Sequence, residues 1–470
     1  MCGILGILCT DYSYSVAGLI YHGLMALQHR GQKFTGIATT NCNGKIITHK
    51  EKGLVSKVLN PNVLKSLSGN VGIGHACFGG KNIFALEHVD PYYINTDQAN
   101  FTLIFNGTLL NYHEIRSNLE KMGKIFVSDT DVELVATLIE TFLKFSDNMT
   151  ETLKTIAEML DGSYCLLLME ADGTLYAMRD IIGNKPLCYG TLELYHKFFY
   201  VVASESVALD AIGGKFEADI KPGEILKFNI IEGLKRYQIN KPKNVISKIC
   251  QFEYTYFSRP DSIIEGVPVA NVRYNLGRNL AKYDDVSKDN AIVVPVPDSG
   301  RLAAMGYAFE SKILYQEGLM KNRYIWEPKR EVEQKLNPLK TIVRDKNIIL
   351  IDDSIISGNT MKKIIKMLKK VGAKSIHVRI ATPPIINWCE LNANFSNRSK
   401  LIAYQKKIVN YDNFNEEMRQ YIGADSLKYQ TIEGLINSIG LPKENICLDC
   451  LKEYCTIRDK NNLKNLELIL

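Results

Sequence analysis

Three short stretches carry residue types that could do chemistry. The chain opens MCGILGI, which puts a cysteine directly behind the initiator methionine. Loss of Met1 would leave Cys2 with a thiol and a free α-amine, so one residue would hold a nucleophile and a base whose ordinary pKa is near 8. The plainer reading of Cys2 is a small apolar residue in a first buried strand. The second stretch, IILIDDSIISGNTM, ends an apolar run on Asp352 and Asp353 and continues through Ser354, Ser357, Gly358, Asn359 and Thr360. Small and hydroxyl-bearing residues at a helix N-terminus offer N–H groups, hydroxyls and the helix dipole to an anion. Two carboxylates beside such a cradle suit ribose hydroxyls, or a magnesium ion bridging to a diphosphate. The plainer reading is a strand end capped by acids. The third stretch, CLDC at Cys447–Cys450, has the thiol spacing of zinc and iron–sulfur sites but needs two more soft ligands from elsewhere.

The elements that must hold these residues fall into two halves, as 470 residues exceed one ordinary core. VGIGHACFGG, FTLIFNGTLL, GSYCLLLMEADGTLYAMRD and KFFYVVASES are apolar or alternating runs of strand length. DTDVELVATLIETFLKF reads as a helix with Val132, Val135, Leu138 and Ile139 on one face and Asp129 as its N-cap. The text turns basic and turn-rich around Lys221–Lys248, and the expected division is 1–235 and 236–470. Beyond it, AIVVPVPDSG, KNIILIDDSIISG and KSIHVRIATPP are apolar strands alternating with helices. NTMKKIIKMLKKVGA turns Met361, Ile364, Ile365 and Leu368 inward and ends at Gly372. This is the pattern of a doubly wound parallel sheet, which binds ligands at the carboxyl ends of its strands.

Hydrophobic content of 46% and charged content of 23% are those of a soluble globular protein. No apolar run reaches the roughly 18–20 residues of a membrane span, and no secretory leader is legible, so a cytoplasmic location is expected. The net charge of +6 comes without a Lys/Arg block, which argues against a nucleic-acid partner and for phosphorylated small molecules. Eleven cysteines in such a chain point to catalysis, metal binding or burial rather than a disulfide framework. Cys9, Cys42, Cys165 and Cys188 read as ordinary thiols.

The acid-tipped loop resembles the phosphoribosyl diphosphate (PRPP) motif of the phosphoribosyltransferases. Within that superfamily, CQFEYTYFSRPDS at Cys250–Ser262, VPVPDSG at Val294–Gly300 and GLMKNRY at Gly318–Tyr324 are similar to one family, the glutamine PRPP amidotransferases or amidophosphoribosyltransferases. CGILGI, LQHRGQ at Leu27–Gln32, the Asn106–Gly107 pair and SDTD at Ser128–Asp131 resemble the same family's glutaminase half. The resemblance implies an α+β N-terminal-nucleophile hydrolase sandwich followed by an α/β type I phosphoribosyltransferase domain with a parallel sheet. It implies an enzyme making 5-phosphoribosylamine from PRPP and glutamine or ammonia, the first step of de novo purine synthesis. By the same resemblance Cys2 is the nucleophile, and Asn106 with the Gly107 N–H forms the oxyanion hole. Arg30 shapes the glutamine pocket, and Asp129 holds the α-amino group. Ser299, Asp352, Asp353, Ser354, Ser357, Gly358, Asn359 and Thr360 bind PRPP and Mg2+. In the family's iron–sulfur subgroup, Cys250 and Cys389 would join Cys447 and Cys450 around a [4Fe–4S] cluster, with Zn2+ the alternative because four thiolates suit it equally. A homotetramer is implied as well.

Two departures stand against this pattern. The family's Gly-His-x-Arg-Tyr-Ser-Thr motif, whose arginine grips the glutamine carboxylate, reads GHACFGG here, with Cys77 at the arginine position and Lys81 as the candidate substitute. Such a charge-assisted pair is worth about 1.5–3 kcal/mol. The loop that follows Tyr324 and would close over PRPP is shorter, and Ser357 replaces the usual arginine. Two alternatives therefore stay open: a divergent paralogue that keeps the scaffold and PRPP or nucleotide binding as a regulatory or partner protein, and a transferase that uses free ammonia.

Overall fold

The computed structural model describes residues 2–41, 43–79, 86, 89–146, 148–240, 245–322, 332–391, 401–402 and 411–452. Strand-length apolar runs in the first half pair into two antiparallel sheets. One has seven strands, in the order Lys215–Asp219, Cys188–Leu194, Lys197–Ala203, Cys2–Cys9, Val71–Cys77, Phe34–Thr40 and Ile46–Lys52. The other has six, in the order Gly233–Gln238, Glu224–Asn229, Leu175–Arg179, Gly162–Glu170, Ala99–Leu109 and Tyr92–Thr96. Strand side chains alternate between faces. Ile4 and Leu8 accordingly join Ile73, Ile104, Leu167 and Leu226 in a core between the sheets. Leu5 and Ile7 face the other way, onto Ile20 and Leu24 of the helix Ala17–Ala26. The second sheet's outer face packs on the helices Tyr112–Lys121, Asp131–Leu143 and Met149–Met159. The result is a four-layer helix–sheet–sheet–helix sandwich. Its last strand, Gly233–Gln238, spans the expected 235/236 division and is paired along its length with Glu224–Asn229.

The helix Asp131–Leu143 buries Val132, Val135, Leu138 and Ile139 as its periodicity requires. Its N-cap is Thr130, whose side chain accepts from the Glu133 N–H, and not the Asp129 expected above. A β-branched hydroxyl one residue nearer the helix reaches that N–H, while Asp129 turns outward.

The second half carries a five-stranded parallel sheet in the order Leu314–Tyr315, Ala291–Pro295, Asn347–Asp352, Ser375–Ile380 and Ser426–Tyr429. Val269–Lys282 and Arg301–Ser311 cover one face. Asn359–Lys370 covers the other with Met361, Ile364, Ile365 and Leu368 buried, the four residues its pattern turned inward. Burial on both faces explains why these strands are continuously apolar. A parallel pair, Ile249–Cys250 with Ile446–Cys447, ties the chain's carboxyl-terminal segment to the start of this half. Among the described residues no helix is long and apolar enough to cross a membrane.

Candidate active site

The even-numbered residues of Cys2–Cys9 face the second sheet, so Cys2 stands at the open end of the sandwich core. Antiparallel register sets it directly opposite Cys77, and the two sulfurs lie 3.5 Å apart. His75, two residues along the same strand, projects from the same face. From the second sheet, Asn106 reaches across, and its Oδ1 accepts from the Cys2 nitrogen at 3.1 Å. Asn106 is 1% exposed, yet its Nδ2 makes no hydrogen bond. A buried amide N–H left unsatisfied is free to donate to a group that enters beside Cys2. Gly107 packs where a Cβ would lie 2.4 Å from Tyr164 Cβ, so only glycine permits this approach.

The thiols are electrostatically unequal. The hydrogen bond between the Cys2 and Cys77 sulfurs is the main influence lowering the Cys2 pKa well below the ordinary thiol value; burial opposes it, and the charge of His75 adds to it. The same contact, with burial, pushes the Cys77 thiol well above its ordinary value, so the shared proton rests on Cys77. Burial works against a charged His75, but Asp90 and the Cys2 sulfur outweigh it and raise the imidazole to about 9. Asp90 Oδ2 lies 3.5 Å from His75 Nδ1 and accepts from the Phe105 N–H at 2.8 Å. The Cys2 thiol is thus the more acidic of the two, and it faces a histidine whose affinity for a proton is raised.

In the other half, Asp352 and Asp353 are both buried at the carboxyl end of the central parallel strand. Ser299 donates to Asp352 at 3.0 Å, and Ser354 donates to Asp353 at 2.6 Å. Gly358, with φ of 75°, ends the loop in a left-handed conformation against Met418 and Tyr421. Ser357 is half-buried, and Asn359 and Thr360 open the helix with exposed side chains. Tyr421 donates to Asn359 Oδ1 at 2.7 Å. All eight residues expected at this site therefore meet at the edge where a parallel sheet binds ligands.

A glutamine amidotransferase domain profile matches residues 87–211, and a phosphoribosyl transferase domain profile matches residues 272–385. The amidophosphoribosyltransferase of Methanothermobacter thermautotrophicus is 40% identical over 459 residues, covering 96% of this chain and 93% of its own. That of Methanocaldococcus jannaschii is also 40% identical, with 96% of each chain covered. The structure of the glutamine PRPP amidotransferase from B. subtilis superimposes with a TM-score of 0.86 at 34% identity, over 98% of this chain and 99% of that one. The chain belongs to the amidophosphoribosyltransferase family. It is an enzyme of the first step of purine synthesis, built as an N-terminal-nucleophile glutaminase followed by a type I phosphoribosyltransferase domain, and none of these comparisons favours a regulatory paralogue.

Arg30 and Asp129, the two residues expected at the glutamine pocket, both hold protein partners. Arg30 is fully buried, and its guanidinium bonds to Glu205, to Glu253 at 2.5 Å and to Ser258 at 3.1 Å. The turn packs closely on the Val71–Cys77 strand at Gly31, where a Cβ would lie 2.3 Å from the Ala76 carbonyl oxygen. Asp129 is exposed and pairs with Arg116 at 2.6 Å. Its half-buried neighbour Asp131 instead feels the charge of Asp90 in the Cys2 cluster. His75 and Asp90 were not among the expected residues, although the two-residue spacing of His75 from Cys77 in GHAC marks a shared strand face. Lys81, the segment after Tyr324, Cys42 and Cys455 lie outside the described residues.

The donor sets implied for cofactors can be tested on this geometry. Asp352 is pushed well upward by burial and then by Asp353, which is the mark of a hard-oxygen pair wanting a cation or hydroxyl donors. Cys250, Cys389, Cys447 and Cys450 are electrostatic neighbours, with Cys250 in register with Cys447. Among the described residues, only Cys2, His75 and Cys77 bring three ligand atoms within 4.8 Å of one another. The four cysteines therefore stand wider than one zinc ion, with bonds of about 2.3 Å, would draw them. A cluster whose thiolates bind separate irons fits that spacing better.

Proposed function

We propose that this chain makes 5-phosphoribosylamine in two coupled steps, with ammonia released at Cys2 and consumed beside Asp352 and Asp353. The observation that carries the reading is the unsatisfied Nδ2 of Asn106, whose Oδ1 accepts from the nitrogen of Cys2. The Cys2 thiolate attacks the glutamine side-chain amide carbon, and the oxygen takes the negative charge toward Asn106 Nδ2 and the Gly107 N–H. The α-amine freed by loss of Met1 carries a proton to the departing ammonia, and water then hydrolyses the thioester to glutamate. Asp129, steadied by Arg116, offers its carboxylate to the substrate's α-ammonium group.

At the second site, Ser354, Ser357, Gly358, Asn359 and Thr360 cradle the 5-phosphate at a helix N-terminus, and Asp352 and Asp353 hold the ribose hydroxyls. Ammonia attacks the ribose carbon and pyrophosphate leaves on the Ser299 side. Magnesium, when bound, neutralises the diphosphate. Cys250, Cys389, Cys447 and Cys450 would hold a structural [4Fe–4S] cluster that clips the carboxyl-terminal segment to the sheet. A homotetramer in the cytoplasm completes the reading.

The test is pyrophosphate release from PRPP with glutamine or with ammonium chloride, using iron-reconstituted protein. Cys2→Ala is expected to abolish the glutamine-dependent rate and spare the ammonium-dependent one; equal effects on both would overturn the assignment. A brown protein that bleaches on chelation is expected, whereas a colourless one with stoichiometric zinc at the four cysteines would overturn the cluster.

A further inference from the structure

The substitution of Cys77 for the family arginine creates a feature that glutamine hydrolysis does not require. Two sulfurs 3.5 Å apart and a histidine on the same strand face bring their ligand atoms within 4.8 Å of one another. Two thiolates on one tetrahedral zinc with bonds of about 2.3 Å stand about 3.8 Å apart, so this pair needs almost no rearrangement. His75 is 2% exposed; Asp90 stands 3.5 Å from its Nδ1 and the Cys2 sulfur is its other polar neighbour, and neither ring nitrogen reaches full hydrogen-bond geometry. Removal of Met1 would add a fourth donor, because the Cys2 amine and its own sulfur can close a five-membered chelate.

We propose that Cys2, His75, Cys77 and the Cys2 α-amine form a binding site for a thiophilic divalent cation such as Zn2+, which reversibly withdraws the nucleophile from glutamine chemistry. Binding is a proton exchange with no change of oxidation state. The ion takes Cys2 and Cys77 as thiolates and His75 as neutral imidazole through one nitrogen, and the displaced protons leave to solvent. The relaxed spacing of Cys250, Cys389, Cys447 and Cys450 makes this the tighter of the two sulfur sites for a single ion. The cation would silence glutamine hydrolysis and leave the transferase half able to use free ammonia.

The experiment uses the full chain with its iron loaded, kept reduced by a phosphine. Zinc is titrated and counted after gel filtration, with iron monitored so that exchange at the four-cysteine site is visible. Cobalt serves as a second probe through its thiolate charge-transfer absorption. Wild-type protein is expected to retain a zinc ion per chain with its iron unchanged. Cys77→Ser is expected to bind it roughly tenfold or more weakly, the scale on which even outer ligands act. Cys77→Ala provides the same comparison should the serine variant fold poorly. Metal counting is independent of turnover, so the site can fail while the amidotransferase reading survives, and the reverse also holds. Equal zinc affinity in wild type and variants, or a Cys2–Cys77 disulfide with no retained metal, would overturn the proposal.

Discussion

Cys77 sets the protonation of the residue opposite it. Its hydrogen bond is the largest of the influences that lower the Cys2 pKa, ahead of the charge of His75. Alkylation of Cys2 by iodoacetamide should therefore persist well below the ordinary thiol range of about 8.5. In Cys77→Ala the alkylation profile should move to higher pH, and superimposable profiles would refute this account of the pair. Asp131 makes a second prediction. Burial raises its carboxyl from 3.8 to about 7, partly offset by an N–H bond from Leu109. A raised pKa means that the folded state holds a proton the unfolded chain has lost. This contribution to stability is complete below 3.8 and disappears as pH climbs through about 7. Asp131→Asn has no proton to lose. Its stability relative to wild type, read from urea midpoints, should improve across that window and then level off. A difference that does not vary with pH would show that the carboxyl titrates normally.

The helices Val269–Lys282 and Arg301–Ser311 cross at two glycines that serve one contact. A Cβ on Gly277 would sit 1.8 Å from the Ala303 carbonyl oxygen, and one on Gly306 would sit 1.9 Å from that of Tyr274. Gly277→Ala gains about 1 kcal/mol of helix propensity, but overpacking costs typically 1–3 kcal/mol and more where the obstacle is backbone. The clash should win, lowering stability by about 2 kcal/mol in a denaturant titration of the holoprotein; a neutral outcome would mean that the helices slide apart freely. Contacts of this kind are invisible in sequence, because they join residues whose only local mark is an ordinary helical glycine. The helices themselves were legible, since Met361, Ile364, Ile365 and Leu368 repeat at a helical period and all four are buried. Strands were legible for the same reason, including the Val71–Cys77 strand that carries His75 and Cys77. Boundaries were less so: Thr130 and Asp129 are both good caps, and only the geometry of the turn separates them. The sites divided in a similar way. The acid-tipped loop is contiguous in sequence, so its residues necessarily lie together at one strand end. Arg30 finds Glu253 at a separation of 223 residues, and no periodicity reports a pairing of that range.

That pairing joins the two halves of the molecule. Arg30 lies in the turn that packs on Gly3 and on the Ala76–Cys77 backbone, so it is one step from Cys2. Its partner Glu253 begins the turn Glu253–Phe257, from which the Tyr254 and Ser258 carbonyls accept bonds from Arg273. The charges of Asp352 and Asp353 act on Tyr256 of the same turn, and Asp353 acts on Arg273. Bonds therefore run from the Leu27–Gly31 turn beside Cys2 through one buried cation to the Glu253–Phe257 turn, which feels the charge of the acid-tipped loop. Glu205, 1% exposed, shows how strong that cation's field is. Burial would raise its carboxyl, yet Arg30 and His29 hold it well below the ordinary range. Arg30→Met leaves Glu205 and Glu253 buried without their shared counter-charge, a loss of about 3–5 kcal/mol where no water can enter. Glu253→Gln keeps the Arg30–Glu205 pair and should cost less. If the contact only stabilises, both variants will lose glutamine- and ammonium-dependent pyrophosphate release in proportion to unfolding. If it also aligns the two sites, Glu253→Gln will lose glutamine-dependent release while glutamine hydrolysis and ammonium-dependent release persist. We expect the second pattern, because the turn is bonded to the first half through Arg30, feels the charge of Asp352 and Asp353, and carries no other buried ion pair to the first half among the described residues. Parallel loss of all three rates in Glu253→Gln would confine Arg30 to holding the halves together.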